Sequence, residues 1–237
     1  MIPLKTLPNA KVTPYLTWML VALNIFVFLV QVWLRWAAHF DLAAGLGVVP
    51  RCLFAPDACG ISGELATRAN WLSPFYALFL HGDLLHLGFN MLFLLVFGAA
   101  LEAELGRVRW LLCYFYGGMA AMLCHSLFAL SSLSPVIGAS GAIAALLGAA
   151  LVRMPKTWVL TYIPPIWFLP LPAPLFLVIW LAAQMSGLWG ELNVGNASAG
   201  GGIAWMAHLG GFAFGALYGW QTRKSKPKAP GEVGFAT

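Results

Sequence analysis

The sequence predicts an all-α polytopic membrane protein, a bundle of six transmembrane helices of which the fourth is short and central. Three observations predict it. Hydrophobic residues make up 61% of the 237 and charged residues only 9%, a composition outside the range of water-soluble globules. The apolar residues are gathered in runs long enough to cross about 30 Å of hydrocarbon. The basic residues between those runs sort to one side when six spans are counted.

The candidate spans, in chain order, are Tyr15 to Trp36, His86 to Leu105, Trp110 to Leu130, Ala139 to Val152, Pro174 to Leu188 and Ile203 to Trp220. An even count puts both ends on one side. Lys5, Lys11, Arg107, Arg109, Arg153, Lys156, Arg223, Lys224, Lys226 and Lys228 then share that side, with only Arg35, Arg51 and Arg68 opposite. Positive charge concentrates in cytoplasmic loops, so the termini are expected in the cytoplasm. A five- or seven-span count would scatter these charges. The net charge of +5 forms no stripe of the kind nucleic acid requires, so no nucleic-acid partner is expected; the expected surroundings are a lipid bilayer. The domain reading is a cytoplasmic segment at 1–14, one six-span domain at 15–222, and a basic, disordered cytoplasmic tail at 223–237. The first fifteen residues, with Pro3, Pro8 and Pro14, show no signal-peptide pattern.

The first span is a plain apolar run. It leads to a long outer loop, Ala37 to Leu80, that carries Cys52 and Cys59; on the oxidising side these form either a disulfide or two free thiols. The second span opens on His81, His86 and Asn90. His86 and Asn90 are four residues apart and share a helical face, where both side chains can donate hydrogen bonds to a developing oxyanion or simply cap an interface. The five-residue His81 to His86 interval, with no glutamate following, is not a zinc-protease pattern, and neither a metal nor another cofactor is expected.

The third span contributes His125, about 24 Å above Arg109 at 1.5 Å per residue. Cys113 and Cys124 in the same span read as packing residues. The fourth is too short to cross: Ser140 to Arg153 spans roughly 20 Å, leaving its start below the outer surface. Unpaired N–H groups at such a start require protein or water around them, so a hydrated pocket opening outward is expected. Five prolines between Pro164 and Pro174 exclude a regular helix there, and the fifth span is expected to start late and be short. The sixth carries His208, roughly 22 Å above Arg223 and near the depth of Ser140. Gly211 and Gly215 on the sixth, and Gly141, Ala145 and Ala149 on the fourth, are small residues at four-residue spacing, which lets two helices approach closely.

Serine needs a base to take its proton, and a neutral imidazole is the commonest one. Ser140 alone reads equally as a small packing residue, and spacing does not choose between His208 and His125 as its partner. The glycine-rich stretch from Gly190 to Gly202 reads either as a lid over the outer mouth or as a plain connector.

Four stretches together resemble the rhomboid intramembrane serine proteases: His81, His86 and Asn90; Gly98-Ala-Ala-Leu101-Glu102-Ala-Glu-Leu-Gly106; Gly138-Ala-Ser140-Gly141; and Ala207-His208-Leu-Gly-Gly211-Phe-Ala-Phe-Gly215. The resemblance covers Tyr15 to Thr222 and implies a rhomboid-like bundle. It implies Ser140 as nucleophile and His208 as general base, with His86, Asn90 and the Ser140 backbone N–H as the oxyanion hole. It makes His81, Gly138, Gly141, Gly211 and Gly215 structural neighbours of the site. Glu102 it makes a tie between the cytoplasmic end of the second span and its loop. The implied partners are transmembrane protein substrates, cut in or near the outer end of the helix, and the implied location is a bacterial plasma membrane with the site facing outward. The sequence carries no signal of oligomeric state. Two features depart from the family: Ala144 stands where relatives often place an aromatic under the imidazole, and Trp71-Leu72 where many have Trp-Arg. The rival readings are a catalytically inactive relative that binds and escorts transmembrane helices, and a transporter; the second lacks the expected internal repeat.

Overall fold

A computed structural model describes residues 1–8, 12–55, 72–165, 167–194 and 204–223. The expectations placed on Cys59, Arg68, Trp71, the 195–202 stretch and the tail beyond Arg223 lie outside these residues. The chain is mostly helical. Its elements are β1 (Ile2–Leu7), α1 (Tyr15–Ala37), the short helices α2 (Leu42–Leu46), α3 (Pro50–Phe54) and α4 (Ser73–Ala77), then α5 (Leu84–Phe93), a π-helical turn at Leu94–Gly98 and α6 (Ala99–Leu105). They continue with α7 (Arg107–Phe128), α8 (Ser140–Arg153), β2 (Trp158–Ile163), β3 (Trp167–Pro172), α9 (Ala173–Val194) and α10 (Trp205–Thr222).

Four helices among the described residues are long and apolar enough to cross a membrane: Tyr15–Ala37, Leu84–Leu105, Arg107–Phe128 and Ala173–Gly190. The protein is an integral, multi-pass membrane protein. Ser140–Arg153 is a shorter apolar helix, and it is the most enclosed element: every residue from Gly141 to Ala150 is buried. α10 and α7 pack on it most extensively. The contact between α8 and α10 is made by backbone. A Cβ added at Gly211 or Gly215 would collide with the carbonyl of Gly141 or Ala145, and one at Gly148 with the carbonyl of Phe212. In lipid, where association depends on van der Waals contact instead of the hydrophobic effect, such backbone proximity is what holds two helices together.

Two expectations need correction. The chain is not all-α: β1, β2 and β3 form an antiparallel sheet in that order, with Leu7 opposite Trp158 and Ile163 opposite Trp167. The prolines at 164–172 do exclude a helix, but strands take its place because Pro170 and Pro172 lie on an edge strand whose outward N–H groups need no partner. The 1–14 segment therefore includes a paired strand. The helix expected as the fifth span does start late, at Ala173, yet it runs 22 residues to Val194. Gly187 and Gly190 do not stop it, and at its end Asn193 donates a hydrogen bond back to the Trp189 carbonyl at 2.7 Å.

At the end of α8 away from Ser140, side chains tie the helices together. Arg153 pairs with Glu104 at 2.9 Å and donates to the Thr222 carbonyl at 3.2 Å. The buried Glu102 carboxylate accepts from Leu16 N–H (3.1 Å), Thr17 N–H (2.9 Å) and the Thr17 hydroxyl (2.8 Å). Glu102 thus caps the start of α1, not the loop beyond its own helix: the first N–H groups of α1 lack intrahelical acceptors and its Pro14 cap offers none.

Candidate active site

Ser140 is the first residue of α8, and the chain reaches it through a turn held on both sides. Val136 pairs with Val48, and the Gly138 N–H donates to the Ala77 carbonyl at 2.8 Å. Gly138 has φ of 121°, a conformation open to glycine and strained for other residues. A Cβ there would stand 2.8 Å from His86 Nε2 and 3.7 Å from Asn90 Nδ2. The turn therefore passes directly beneath both side chains and delivers Ser140 beside them.

His208 projects from α10 to meet it: His208 Nε2 is 2.8 Å from Ser140 Oγ. The other ring nitrogen, Nδ1, is 2.7 Å from Gln184 Oε1 on α9. Trp180 and Trp205 flank the ring at centroid distances of 6.1 and 6.2 Å. Ala144, fully buried, supplies no aromatic, and these two tryptophans stand around the imidazole instead. His125 lies on α7 with its Nδ1 buried and without a partner among the described residues.

The α5 side is built on Asp83, whose carboxylate caps the helix by accepting from the His86 N–H at 2.8 Å. The Gly82 N–H points at His86 Nδ1 at 3.4 Å, which leaves Nε2 as the N–H donor directed toward Gly138. Asn90 is buried, and its Nδ2 has no hydrogen-bond partner among the described residues. A buried donor left unpaired costs about 1–3 kcal/mol, so this amide is suited to a group that arrives later. His81 supports the constellation from outside. It lies edge-on to His86 at 5.1 Å, and its backbone is clamped by Gln31 of α1, which accepts from its N–H at 3.1 Å and donates to its carbonyl at 3.2 Å. A cavity of about 560 Å³ opens on the α1 side of His81, between Gln31, Arg35 and Asp83; Ser140 and His208 do not line it.

The arrangement places a hydroxyl, an imidazole, two side-chain donors and the N-terminus of a helix around one point. Helix N-termini favour negative charge, and their free N–H groups can bind it. Among the described residues, no cluster of His, Cys, Asp and Glu could hold a metal ion. Cys52 is disulfide-bonded, whereas Cys113 and Cys124 are free.

Sequence reasoning missed Gln184. The available signal was the single amide on a helical stripe that is otherwise apolar, Ala173, Phe176, Leu177, Trp180 and Gln184.

The family model described as Rhomboid domain matches residues 68–225. Among curated proteins, the chain is similar to Rhomboid protein 1, mitochondrial, of Saccharomyces cerevisiae. The two are 32% identical over 154 residues, which is 63% of this chain and 41% of the relative. It is also similar to RHOMBOID-like protein 4 of Arabidopsis thaliana, 33% identical over 180 residues, or 72% of this chain and 39% of the relative. RHOMBOID-like protein 1 of the same plant is 34% identical over 146 residues, or 62% and 33%. The chain spans about two fifths of the length of the first two of these relatives.

Proposed function

The chain belongs to the rhomboid family, and from that premise we propose that it is an intramembrane serine endopeptidase with Ser140 as nucleophile and His208 as general base. The observation that carries the reading is the 2.8 Å hydrogen bond between Ser140 Oγ and His208 Nε2, lying beside the unpartnered Asn90 amide.

As in the rhomboid family, a substrate helix enters laterally between the second and fifth spans and unwinds near its outer end, exposing a backbone carbonyl; the steps that follow rest on the positions of the groups. His208 Nε2 takes the Ser140 proton as Oγ bonds to the carbonyl carbon. The oxygen then bears a negative charge, held by His86 Nε2–H, Asn90 Nδ2–H and the Ser140 N–H. The C–N bond breaks as His208 returns its proton to the leaving amine, giving an acyl-enzyme. Water, deprotonated by His208, releases the acid and restores Ser140. The dyad contains no carboxylate: Glu102 and Glu104 belong to the opposite end of the helices.

Six spans, with the 14-residue α8 as the short central fourth and α10 as the sixth, accord with this reading. The start of α7 and the ends of α8 and α10 carry Arg107, Arg109, Arg153 and Arg223. By the distribution of positive charge that end faces the cytoplasm, and Ser140 opens to the other side.

The test is cleavage of a model transmembrane substrate by full-length protein in liposomes, with Ser140→Ala and Asn90→Ala beside it. Wild type is expected to cleave and to be labelled at Ser140 by a fluorophosphonate. Ser140→Ala should do neither, and Asn90→Ala should lose about 100-fold in kcat with KM little changed. Equal helix binding by wild type and Ser140→Ala, with no cleavage or labelling by either, would overturn the protease in favour of an escort.

A further inference from the structure

A neutral imidazole has one N–H and one bare nitrogen, and it serves as a base for Ser140 only in the tautomer that leaves Nε2 bare. Isolated imidazole does not hold one tautomer exclusively. Something bound to Nδ1 must choose, and here that group is Gln184, 8% exposed, with Oε1 2.7 Å from Nδ1.

The amide itself is oriented. Its Nε2 donates to the Trp180 carbonyl one helical turn earlier, at 3.4 Å, which turns Oε1 toward the ring. An amide oxygen only accepts, so Nδ1 carries the proton and Nε2 is left to accept from the Ser140 hydroxyl. Rotating the amide by 180° would present N–H₂ to Nδ1 and force the proton onto Nε2, a tautomer that cannot deprotonate serine. Among the described residues, the ionisable groups that act on His208 are His86 on α5 and His125 on α7; neither is an acid that could take this role. Trp180 and Trp205 limit the ring's tilt, but apolar faces do not distinguish the two nitrogens.

We propose that Gln184 is a positioning residue: an uncharged third member behind the Ser140–His208 pair that selects the productive imidazole tautomer and aims Nε2 at the hydroxyl. The inference rests on the reading of Ser140 and His208 as the reacting pair. Because the amide is neutral, it orients the ring without adding charge to stabilise an imidazolium, which distinguishes it from the aspartate of a triad.

The experiment compares full-length wild type, Gln184→Met and Gln184→Glu in liposomes. Methionine keeps the length and loses the acceptor; glutamate keeps the acceptor and adds charge. Gln184→Met is expected to lose about 10- to 100-fold in kcat with KM within about twofold, as a misdirected general base would. Nitrogen-15 spectra of the His208 ring should show the Nδ1–H form in wild type and a mixture in Gln184→Met. Gln184→Glu should recover kcat at alkaline pH, with the acid limb of its profile moved up by about one pH unit, because a carboxylate retains the ring proton. If the methionine variant fails to fold, Gln184→Asn, one methylene short of the ring, makes the same comparison.

Wild-type kcat in Gln184→Met, an unchanged ring tautomer, or equal losses in the methionine and glutamate variants at every pH would overturn the proposal. If wild type neither cleaves nor labels at Ser140, it is the protease reading that fails. The ring spectra then decide Gln184 by themselves.

Discussion

At Gly138 a single dihedral angle shapes the candidate site. A φ of 121° and the absence of a Cβ allow the backbone to pass within contact of His86 and Asn90, and any side chain there would displace the donors it serves. His81 acts by a different route. It is 2% exposed, and burial, reinforced by the neighbouring His86 and opposed by Asp83, lowers its pKa to about 4. In the unfolded chain it titrates near the usual histidine value of about 6.5. Between those values the unfolded chain binds a proton that the folded one refuses. This contribution is fully present above about pH 6.5 and is lost as pH falls toward 4, up to about 3 kcal/mol. Melting temperatures from about pH 7 down to pH 4.5 should fall, and His81→Gln should flatten that part of the curve; an unchanged slope would rule out His81 as its source. The motif residues were legible in the sequence, since each has a distinctive neighbour pattern. Gln184 was not, because its role exists only when α9 is turned against α10.

For the helices, legibility depended on whether the controlling interaction was local. The small residues of α8 and α10 announced close packing, and their carbonyls and glycines do interleave. Gly215→Val should therefore force the two helices apart. The expected cost is about 1–3 kcal/mol, seen as a lower denaturation midpoint in detergent, together with loss of cleavage as His208 moves away from Ser140. Full stability and activity in that variant would show that the contact does not position the site. The Pro164 to Pro174 stretch was legible only negatively. Proline chemistry excludes a helix, but the strand pairing that replaces it needs β1, about 150 residues away in sequence, where no local pattern reports it. α9 was misjudged in length because glycine weakens a helix by only about 1 kcal/mol, too little to end one that is packed along its side.

On the scale of the whole molecule, the sheet, the Glu102 hydrogen bonds and the Arg153–Glu104 ion pair lie at one end and the candidate site at the other. Glu102 holds α1 to α6, Arg153 holds α8 to Glu104 and the end of α10, and β1 pairs with the hairpin between α8 and α9. This end is a clamp that sets helix positions about 20 Å from Ser140. Removing Met1–Leu7 would leave β2 without a partner on one side. The shortened protein should melt about 5 °C lower and still cleave, since no strand residue touches the site. Loss of cleavage without loss of stability would instead give β1 a part in the reaction.

The sequence by itself determined the solvent, the places where helices run, and the residues able to react, because hydropathy, helical spacing and functional-group chemistry are carried by neighbouring positions. Helical spacing left two histidines at suitable heights for Ser140, and the family motifs implied His208. Only the tertiary structure decided how the His208 ring meets the serine, that an amide from a third helix grips the far side of the ring, and that the first strand closes the opposite end. Those outcomes depend on how helices rotate and cross, and that is set by the sum of many distant packing contacts.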